Sequence, residues 1–439
     1  MSISNLLEEI QVEILIKLPV NSISICRCVC KFWYTLLNNP RFIKNQLIRS
    51  NNNPRLLLTH SRYWSGKDPK IYSIDYDSIL SPPSSSVSLA ISCEYECNGA
   101  VKLDYPFINE PRIEFQLLGS CDGLVSFGVS SGTLDVDQEN SICIWNPSIG
   151  EYKKISMPFS DFIGGQEWDW KCNARYGIGY DCIVDDYKLV RIGDSENSGR
   201  FQVEVYTLGL DSWKTVEFIC YSFRHGIRRF PGVLLNGTLH WLGISVVQEL
   251  SYDVIVCFDI SNERLIEIQF PEGIMTPQVG GEQESYHINL GVLGDRLCLA
   301  VGDVGVEIEM WVMQKYGERR SWTKQFTTTQ LSMTQYSFIK PIWSYENGEI
   351  LIDTCKDLIL YDPKCGGVRV ERVRDDIKSR NRGSYVESLV SPKSGIYVEK
   401  LTTDGDIKKP EQQRLRYFGI TGNKKRRAKR ACYCCARRK

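Results

Sequence analysis

A serine at residues 128–132, which read Gly-Val-Ser-Ser-Gly, is the first candidate for catalytic chemistry in this chain. The pattern G-x-S-x-G is typical of hydrolases, in which a sharp turn between a strand and a helix exposes the serine hydroxyl. The residues that follow, Thr133 to Asp137, show no helical periodicity, and no plausible histidine partner lies nearby. The sequence therefore favours a Ser/Gly loop, and a hydrolase built around Ser130 is the least supported functional hypothesis.

Three aspartates, Asp181, Asp185 and Asp186, could together bind a cation. Their spacing lacks the glycine and the terminal glutamate of an EF-hand loop. Aspartates grouped in this way are common in turns, because their side chains accept hydrogen bonds from nearby backbone N–H groups. We therefore expect a turn at residues 181–186.

The cysteines and histidines do not predict a metal site. The chain has 17 cysteines, an odd number spread along its length, and four isolated histidines. Cys143, Cys257 and Cys298 lie in apolar runs that resemble strands, where reduced thiols act as small hydrophobic side chains. We expect no metal and no cofactor.

Charge and hydropathy indicate the class of protein. The chain has 439 residues, of which 42% are hydrophobic and 24% are charged, so it can build a large core. Lys+Arg and Asp+Glu both number 53, but residues 424–439 contain nine basic residues and no acidic one. The rest of the chain is therefore mildly acidic, and nothing indicates nucleic-acid binding. No secretory signal or membrane-spanning run is recognised, so we expect a cytoplasmic or nuclear protein without a membrane span.

The elements that would position a binding site begin at the N-terminus. Leu6, Ile10, Ile14 and Leu18 are spaced four residues apart and predict an amphipathic helix. Pro19 is expected to end this helix. Asn39-Pro40 predicts the start of a later helix, because proline is tolerated at the first helical position. About 45 residues bury too little surface to be robust alone, so the surplus of apolar residues implies a docking partner.

This segment resembles the F-box of plant F-box proteins over residues 5–47. The resemblance is strongest at Leu18-Pro19-Val20 and at residues 27–33, which read Arg-Cys-Val-Cys-Lys-Phe-Trp. The resemblance implies that the segment binds a Skp-type adaptor and, through it, a cullin. One departure is Leu7, where the family usually has proline. The residues predicted at the adaptor interface are Leu6, Ile10, Leu15, Leu18, Pro19, Val20, Ile23, Val29, Cys30 and Trp33.

From about residue 100 the chain changes to short alternating apolar runs bounded by Gly, Asn, Asp and Pro, which predict strands. The pairs Asp122-Gly123, Asn236-Gly237 and Asn347-Gly348 favour two-residue hairpin turns, and Gly294-Asp295 marks a similar turn. A second regularity is an aromatic residue followed seven residues later by another apolar one. It occurs at Trp145 and Tyr152, Tyr206 and Trp213, Phe258 and Leu265, and Tyr361 and Val368.

Repeating units spaced by roughly 50–60 residues predict a β-propeller, whose blades bury their faces by stacking in a ring. Residues 144–152, 176–190 and 236–241 resemble the F-box-associated, kelch-like domain that follows many plant F-boxes. We expect a small all-α F-box unit at residues 1–50 and an all-β domain at 51–403, most favourably a propeller of six or seven blades. A pair of packed sheets is an alternative. Trp168-Asp169-Trp170 and Phe223-Arg224-His225 are expected to pack between blades.

The remaining residues, 404–439, are expected to be a flexible basic tail that contains cysteines. Its basic cluster resembles a nuclear-import signal formed by Lys424, Lys425, Arg426, Arg427, Lys429 and Arg430. An inert solvated tail is an equal alternative, and palmitoylation of Cys432, Cys434 or Cys435 is a less favoured one.

The family resemblance implies a non-catalytic substrate receptor of an SCF-type ubiquitin ligase. Its propeller would hold a target protein that the sequence does not identify. The alternative is a propeller that binds proteins outside any ligase.

Overall fold

The structure is a computed structural model. It describes residues 7–50, 53–60, 69–80, 100–106, 114–133, 136–156, 174–194, 201–219, 221–223, 230–247, 250–274, 286–303, 307–329, 339–354, 358–371 and 381–393. The helical region and the β domain lie in one compact body, Met1–Tyr397.

Four short helices form the N-terminal region: α1 (Glu8–Ile16), α2 (Val20–Cys26), α3 (Lys31–Leu37) and α4 (Pro40–Ser50). The predicted start of α4 is confirmed, since the Asn39 side chain accepts a hydrogen bond from the backbone N–H of Arg41 at 2.8 Å. The thiol of Cys30 accepts the backbone N–H of Trp33 at the start of α3. The four helices are called the helical unit below.

The β domain is a six-bladed propeller, which resolves the expected range of six or seven blades. Its strands follow in chain order. Blade one contains β1 (Pro54–His60), β2 (Lys70–Asp75) and β3 (Val101–Leu103), and the short helix α5 (Tyr76–Leu80) follows β2. Blade two contains β4 (Glu114–Cys121), β5 (Leu124–Thr133), β6 (Val136–Asn146) and β7 (Glu151–Ser156). Blade three contains β8 (Arg175–Asp181), β9 (Asp186–Asp194), β10 (Phe201–Thr207) and β11 (Ser212–Ile219).

The second half of the ring follows the same plan. Blade four contains β12 (Tyr221–Ser222), β13 (Val233–Leu235), β14 (Thr238–Val247), β15 (Leu250–Asp259) and β16 (Arg264–Gln269). Blade five contains β17 (Tyr286–Leu293), β18 (Arg296–Asp303), β19 (Glu307–Met313) and β20 (Trp322–Thr328), with a 3₁₀ turn at Arg319–Ser321. Blade six contains β21 (Lys340–Ser344), β22 (Ile350–Asp353), β23 (Leu358–Asp362) and β24 (Gly367–Glu371).

A strand from the end of the described chain, β25 (Asn381–Val386), completes blade one by pairing antiparallel with β1. The sequence analysis did not predict this closing strand. At the junction with blade six, the guanidinium of Arg382 and the carboxylate of Asp353 form a buried ion pair at 2.7 Å. At the junction with blade two, the side-chain amide of Asn146 donates to the carbonyls of Ser388 (3.0 Å) and Val390 (2.8 Å). Both contacts hold the ring closed.

The predicted hairpin turns are confirmed at two of the three Asn-Gly or Asp-Gly pairs. Asp122 and Gly123 have φ values of 51° and 85°, and Asn236 and Gly237 have 52° and 70°, as a two-residue turn of this hand requires. A Cβ atom on Gly123 would also collide with Ser388. The prediction is wrong at Asn347-Gly348, because a longer connection joins β21 and β22.

The aromatic and apolar residues spaced seven apart lie directly opposite each other on neighbouring strands. Trp145 faces Tyr152, Tyr206 faces Trp213, Phe258 faces Leu265 and Tyr361 faces Val368 across the outer two strands of their blades. Pairs of this kind stabilise a sheet locally. The seven-residue spacing therefore has a structural origin in these pairs.

Apolar clusters between neighbouring blades form the core. The expected burial of Cys143, Cys257 and Cys298 is confirmed, and burial raises the pKa of the Cys257 and Cys298 thiols well above the usual value. Phe223 also packs between blades, with its ring centroid 5.4 Å from that of Phe201.

Candidate functional site

The helical unit has one face that belongs to the protein core. Leu15, Ile23 and Leu37 are at most 1% exposed. With other buried residues of the unit they join an apolar cluster that continues into blades two and three, where it includes Leu118 and Ile178. This face attaches the helical unit to the propeller.

The helical unit also leaves large apolar side chains in solvent. These side chains are called the helical apolar face: Leu7, Ile10, Ile14, Ile25, Val29, Phe32, Tyr34 and Ile48. Ile25 is 71% exposed and Val29 is 64% exposed. Large apolar side chains grouped at a surface mark interaction sites more often than isolated ones do. The unit is therefore suited to binding a protein.

The structure separates the residues predicted at the adaptor interface into groups. Leu15, Val20 and Ile23 are buried, so they support the fold and cannot contact a partner while the unit is folded. Leu18 and Trp33 are partly buried against the same cluster. The accessible members are Ile10, Pro19, Val29 and Cys30, and Leu6 lies outside the described residues.

Helix α1 shows why the sequence did not predict which of these residues are buried and which are accessible. The predicted stripe places Ile10 and Ile14 on one face, but the structure exposes both at 44% and turns Gln11 and Leu15 inward. Gln11 is buried because its side-chain oxygen accepts the indole N–H of Trp33 at 2.9 Å. The helix is apolar on most sides, so periodicity alone does not show which face meets the core. Ile14, Ile25, Phe32 and Ile48 were not predicted as interface residues, although all four are exposed.

A polar contact joins helix α4 to blade three. The ammonium of Lys44 lies 2.7 Å from the carboxylate of Asp185, which is in the turn between β8 and β9. The same ammonium lies 5.9 Å from the centre of the Tyr180 ring, and the Tyr180 hydroxyl donates to Asp185. This turn therefore lies directly beside the helical unit.

The predicted turn at Asp181–Asp186 is confirmed. Asp181 accepts the backbone N–H of Ile183 at 2.8 Å and pairs with the buried ammonium of Lys188 at 2.5 Å. Burial alone would raise the pKa of Asp181, but the hydrogen bonds from Lys188 and from the backbone hold this pKa below its usual value. Lys188 also contacts Glu263 of the next blade at 2.7 Å. These aspartates order the turn, and no group of metal-ligating side chains that could hold an ion occurs among the described residues.

Ser130 does not occupy a nucleophile elbow. It lies within strand β5, opposite Glu114 of β4 and Asn140 of β6, and the strand continues to Thr133. The expectation of a loop is wrong here, because residues 128–132 lie within strand β5, whose pairing with β6 shifts register between Ser131 and Thr133. A serine at this position lacks the strand-to-helix turn that the hydrolase pattern needs.

Several predicted features lie outside the described residues. They are Trp168-Asp169-Trp170, His225 and the basic cluster at Lys424, Lys425, Arg426, Arg427, Lys429 and Arg430. Within the part of the chain that the structure describes, none of the helices combines the length and the apolarity needed to cross a membrane.

Comparison with known proteins bears on both regions. Residues 3–45 match the model of the F-box domain, and residues 65–401 match that of the F-box associated beta propeller domain. F-box protein CPR1 of Arabidopsis thaliana is 27% identical over 400 residues, which cover 86% of this chain and 87% of that protein. An F-box/kelch-repeat protein of the same plant is 27% identical over 393 residues, covering 88% of this chain and 96% of that protein.

Among solved structures, the SapL1 lectin in complex with alpha methyl fucoside has a TM-score of 0.35 at 9% identity. The match covers 73% of this chain and 96% of the lectin chain.

The matches to the F-box domain and to the F-box associated beta propeller domain follow each other along the chain and together span most of it. This order agrees with the helical unit and the six blades. The chain therefore belongs to the family of F-box proteins that carry an F-box associated β-propeller domain.

Proposed function

We propose that the protein is the substrate-receptor subunit of an SCF-type ubiquitin ligase. The observation that carries this proposal is the helical apolar face, which lies on the segment that matches the F-box domain. In this proposal the face binds a Skp-type adaptor, which connects the protein to a cullin. The propeller holds a target protein.

The receptor contributes proximity and no bond chemistry. Holding a target near a ubiquitin-loaded enzyme converts a bimolecular encounter into an effectively intramolecular one. This role needs no acid, base or nucleophile from the chain itself. It needs two binding surfaces on one rigid body, and the shared core of the helical unit and blades two and three supplies that rigidity.

We expect the adaptor to contact the accessible members of the predicted set, Ile10, Pro19, Val29 and Cys30. Ile14, Ile25 and Phe32 join them, because they are exposed on the same unit. Leu15, Val20 and Ile23 act indirectly by holding the helices in place.

Because ligases of this kind act in the cytoplasm and the nucleus, we also propose that the protein works there. The basic cluster at Lys424–Arg430 remains a predicted nuclear-import signal, with an inert solvated tail as the equal alternative.

The test measures the affinity of the full-length chain for a purified Skp-type adaptor by calorimetry. Val29→Asp places a carboxylate on the helical apolar face. Because burying this charge under the adaptor is unfavourable, binding should weaken at least tenfold, which corresponds to about 1.4 kcal/mol or more. Val101→Asp, at an exposed apolar position of blade one, is the matched control and should bind as wild type does.

Both variants change exposed residues, so their thermal midpoints should match that of wild type. If the folded wild-type chain does not bind the adaptor, the ligase proposal fails. The chain is then a protein-binding propeller that acts outside such a ligase.

A further inference from the structure

Blade three presents exposed apolar side chains beside the helical unit. Ile183 is 66% exposed and Leu210 is 69% exposed, and Val184 is also in solvent. Ile183 and Val184 lie in the turn between β8 and β9, and Leu210 lies in the turn between β10 and β11. These three residues and Ile48 of α4 are called the blade-three patch. A propeller that only needed to close its hairpins could place polar residues at all of these positions.

Contacts of neighbouring residues place the two turns and helix α4 close together. The backbone N–H of Gly209, next to Leu210, donates to the carboxylate of Asp186 at 2.9 Å, which joins the two turns. Asp185, next to Val184, pairs with Lys44 of α4. Ile48 follows Lys44 by four residues and so lies on the same side of the helix, one turn further along.

The turn that carries Ile183 and Val184 is held in a defined conformation. Asp181 accepts the backbone N–H groups of both residues, at 2.8 Å and 3.3 Å. The backbone N–H of Cys182 donates to the hydroxyl of Ser261 in blade four at 3.2 Å. A rigid turn loses little conformational entropy when a partner covers it, which favours binding.

Exposed charged side chains lie close in the chain to members of the patch, since Asp211 follows Leu210 and Lys44 precedes Ile48 by one helical turn. Lys214 is 55% exposed, Asp211 is 66% exposed and Lys44 is 53% exposed. An apolar centre with a polar, solvated rim is the usual composition of a protein–protein interface.

The patch lies on the rim of the propeller where the helical unit is attached. In antiparallel blades the turns between the first and second strands, and between the third and fourth, lie on one rim. The contact between Lys44 and Asp185 shows that this is the rim of the helical unit. Strands β7 and β16 end at the opposite rim. A partner seated on the helical unit is therefore close to the patch, whereas a target bound at the opposite rim is not.

We propose that the blade-three patch is a second contact surface for the same Skp-type adaptor that binds the helical unit. This inference rests on the proposed function, and its occupant follows from proximity, since the ion pair of Lys44 with Asp185 places helix α4 of the helical unit against the turn that carries Ile183 and Val184. The adaptor would then touch the propeller as well as the F-box segment. Contact with both would fix the orientation of the propeller relative to the ligase.

The experiment measures the affinity of the full-length double variant Ile183→Asp/Leu210→Asp for the purified Skp-type adaptor. Burying either charge under the adaptor is unfavourable, so we expect binding about tenfold or more weaker than wild type. Val101→Asp is again the control and should bind normally. A second double variant, Ile183→Ser/Leu210→Ser, avoids adding carboxylates beside Asp181 and Asp185 and should show a smaller loss in the same direction.

The outcomes separate the two proposals. If wild type and both double variants bind the adaptor equally well, the second contact is disproved while the ligase proposal stands. If wild type does not bind the adaptor, both proposals fail together. If the double variants bind less tightly and Val29→Asp does so as well, the adaptor contacts both surfaces.

Discussion

The helical unit and the propeller differ in how much of their apolar surface is buried. Of the sixteen large apolar side chains that are exposed among the described residues, eight lie in the first 50 residues and eight are distributed over the rest. The propeller covers its strands by stacking each blade on the next. Blades two and three cover one face of the helical unit, and eight large apolar side chains elsewhere on the unit stay exposed.

This difference shows where each region obtains its stability. A blade is stabilised by its neighbours, so the weak point of the ring is the place where its two ends meet. The helical unit is stabilised by the propeller beneath it, and its outer face contributes little to folding. Changes on that outer face should alter binding, whereas changes at the inner face or at the closure should alter folding.

The largest effect is expected at the ring closure, from Arg382→Ala. The substitution leaves the buried carboxylate of Asp353 without the cation that faces it, and breaking a buried ion pair in this way costs about 3–5 kcal/mol. Denaturation of the full chain should show this loss. The double variant Arg382→Met/Asp353→Leu, which removes both charges, should recover most of the stability. Equal stability of Arg382→Ala and wild type would show that the closure does not depend on this pair.

The next largest effect on stability is expected in helix α2, where two isoleucines can be compared. Ile23 is fully buried and Ile25 is 71% exposed, so Ile23→Ala creates a cavity and Ile25→Ala does not. We expect a loss of about 2–5 kcal/mol for Ile23→Ala and less than about 0.5 kcal/mol for Ile25→Ala. Hydrogen exchange of the amides in α1–α4 measures the opening free energy of the helical unit directly. Similar exchange in the two variants would contradict the assignment of inner and outer faces.

The smallest effect is a loss of folding stability at low pH that arises from His240. It is assigned to the propeller, because no histidine lies in the helical unit. Burial lowers the pKa of His240 to about 4, and its two ring nitrogens contact the Val233 carbonyl and the Tyr316 hydroxyl. The unfolded chain takes up a proton at this residue near pH 6.5, and the folded chain does so only near pH 4. Stability therefore falls as the pH drops between these values.

The contribution of His240 should be about 2 kcal/mol between pH 7 and pH 5. His240→Gln removes this titration, so its unfolding free energy should fall less over the same range than that of wild type. Denaturation curves at both pH values measure the difference. An equal fall in the two proteins would show that the acid sensitivity lies elsewhere.

The features that sequence reasoning predicted correctly depend on residues close together in the chain. The facing pair Trp145 and Tyr152 follows from a turn of fixed length between two alternating strands. The start of α4 at Pro40 follows from Asn39, and the turn at Asp181–Asp186 from its own carboxylates. Each involves a few neighbouring residues, so its signal is visible in a short window.

The unpredicted features join residues that are far apart. The closing strand β25 pairs with β1 although hundreds of residues separate them, and nothing in residues 381–386 identifies their partner. The number of blades depends on that closure, which explains why the sequence left six or seven open. The ion pairs of Lys44 with Asp185 and of Arg382 with Asp353 are equally long-range.

The amino-acid sequence by itself determined that this protein has an F-box-like helical segment, a following domain of short strands, and more apolar surface at its N-terminus than that segment can bury. Only the tertiary structure decided which of those apolar residues remain accessible. Ile10 and Leu15 are both apolar residues of one helix, but blades two and three cover the side that includes Leu15 and leave Ile10 in solvent. Burial is a property of the whole folded chain, because a side chain is removed from water only by segments that folding brings next to it.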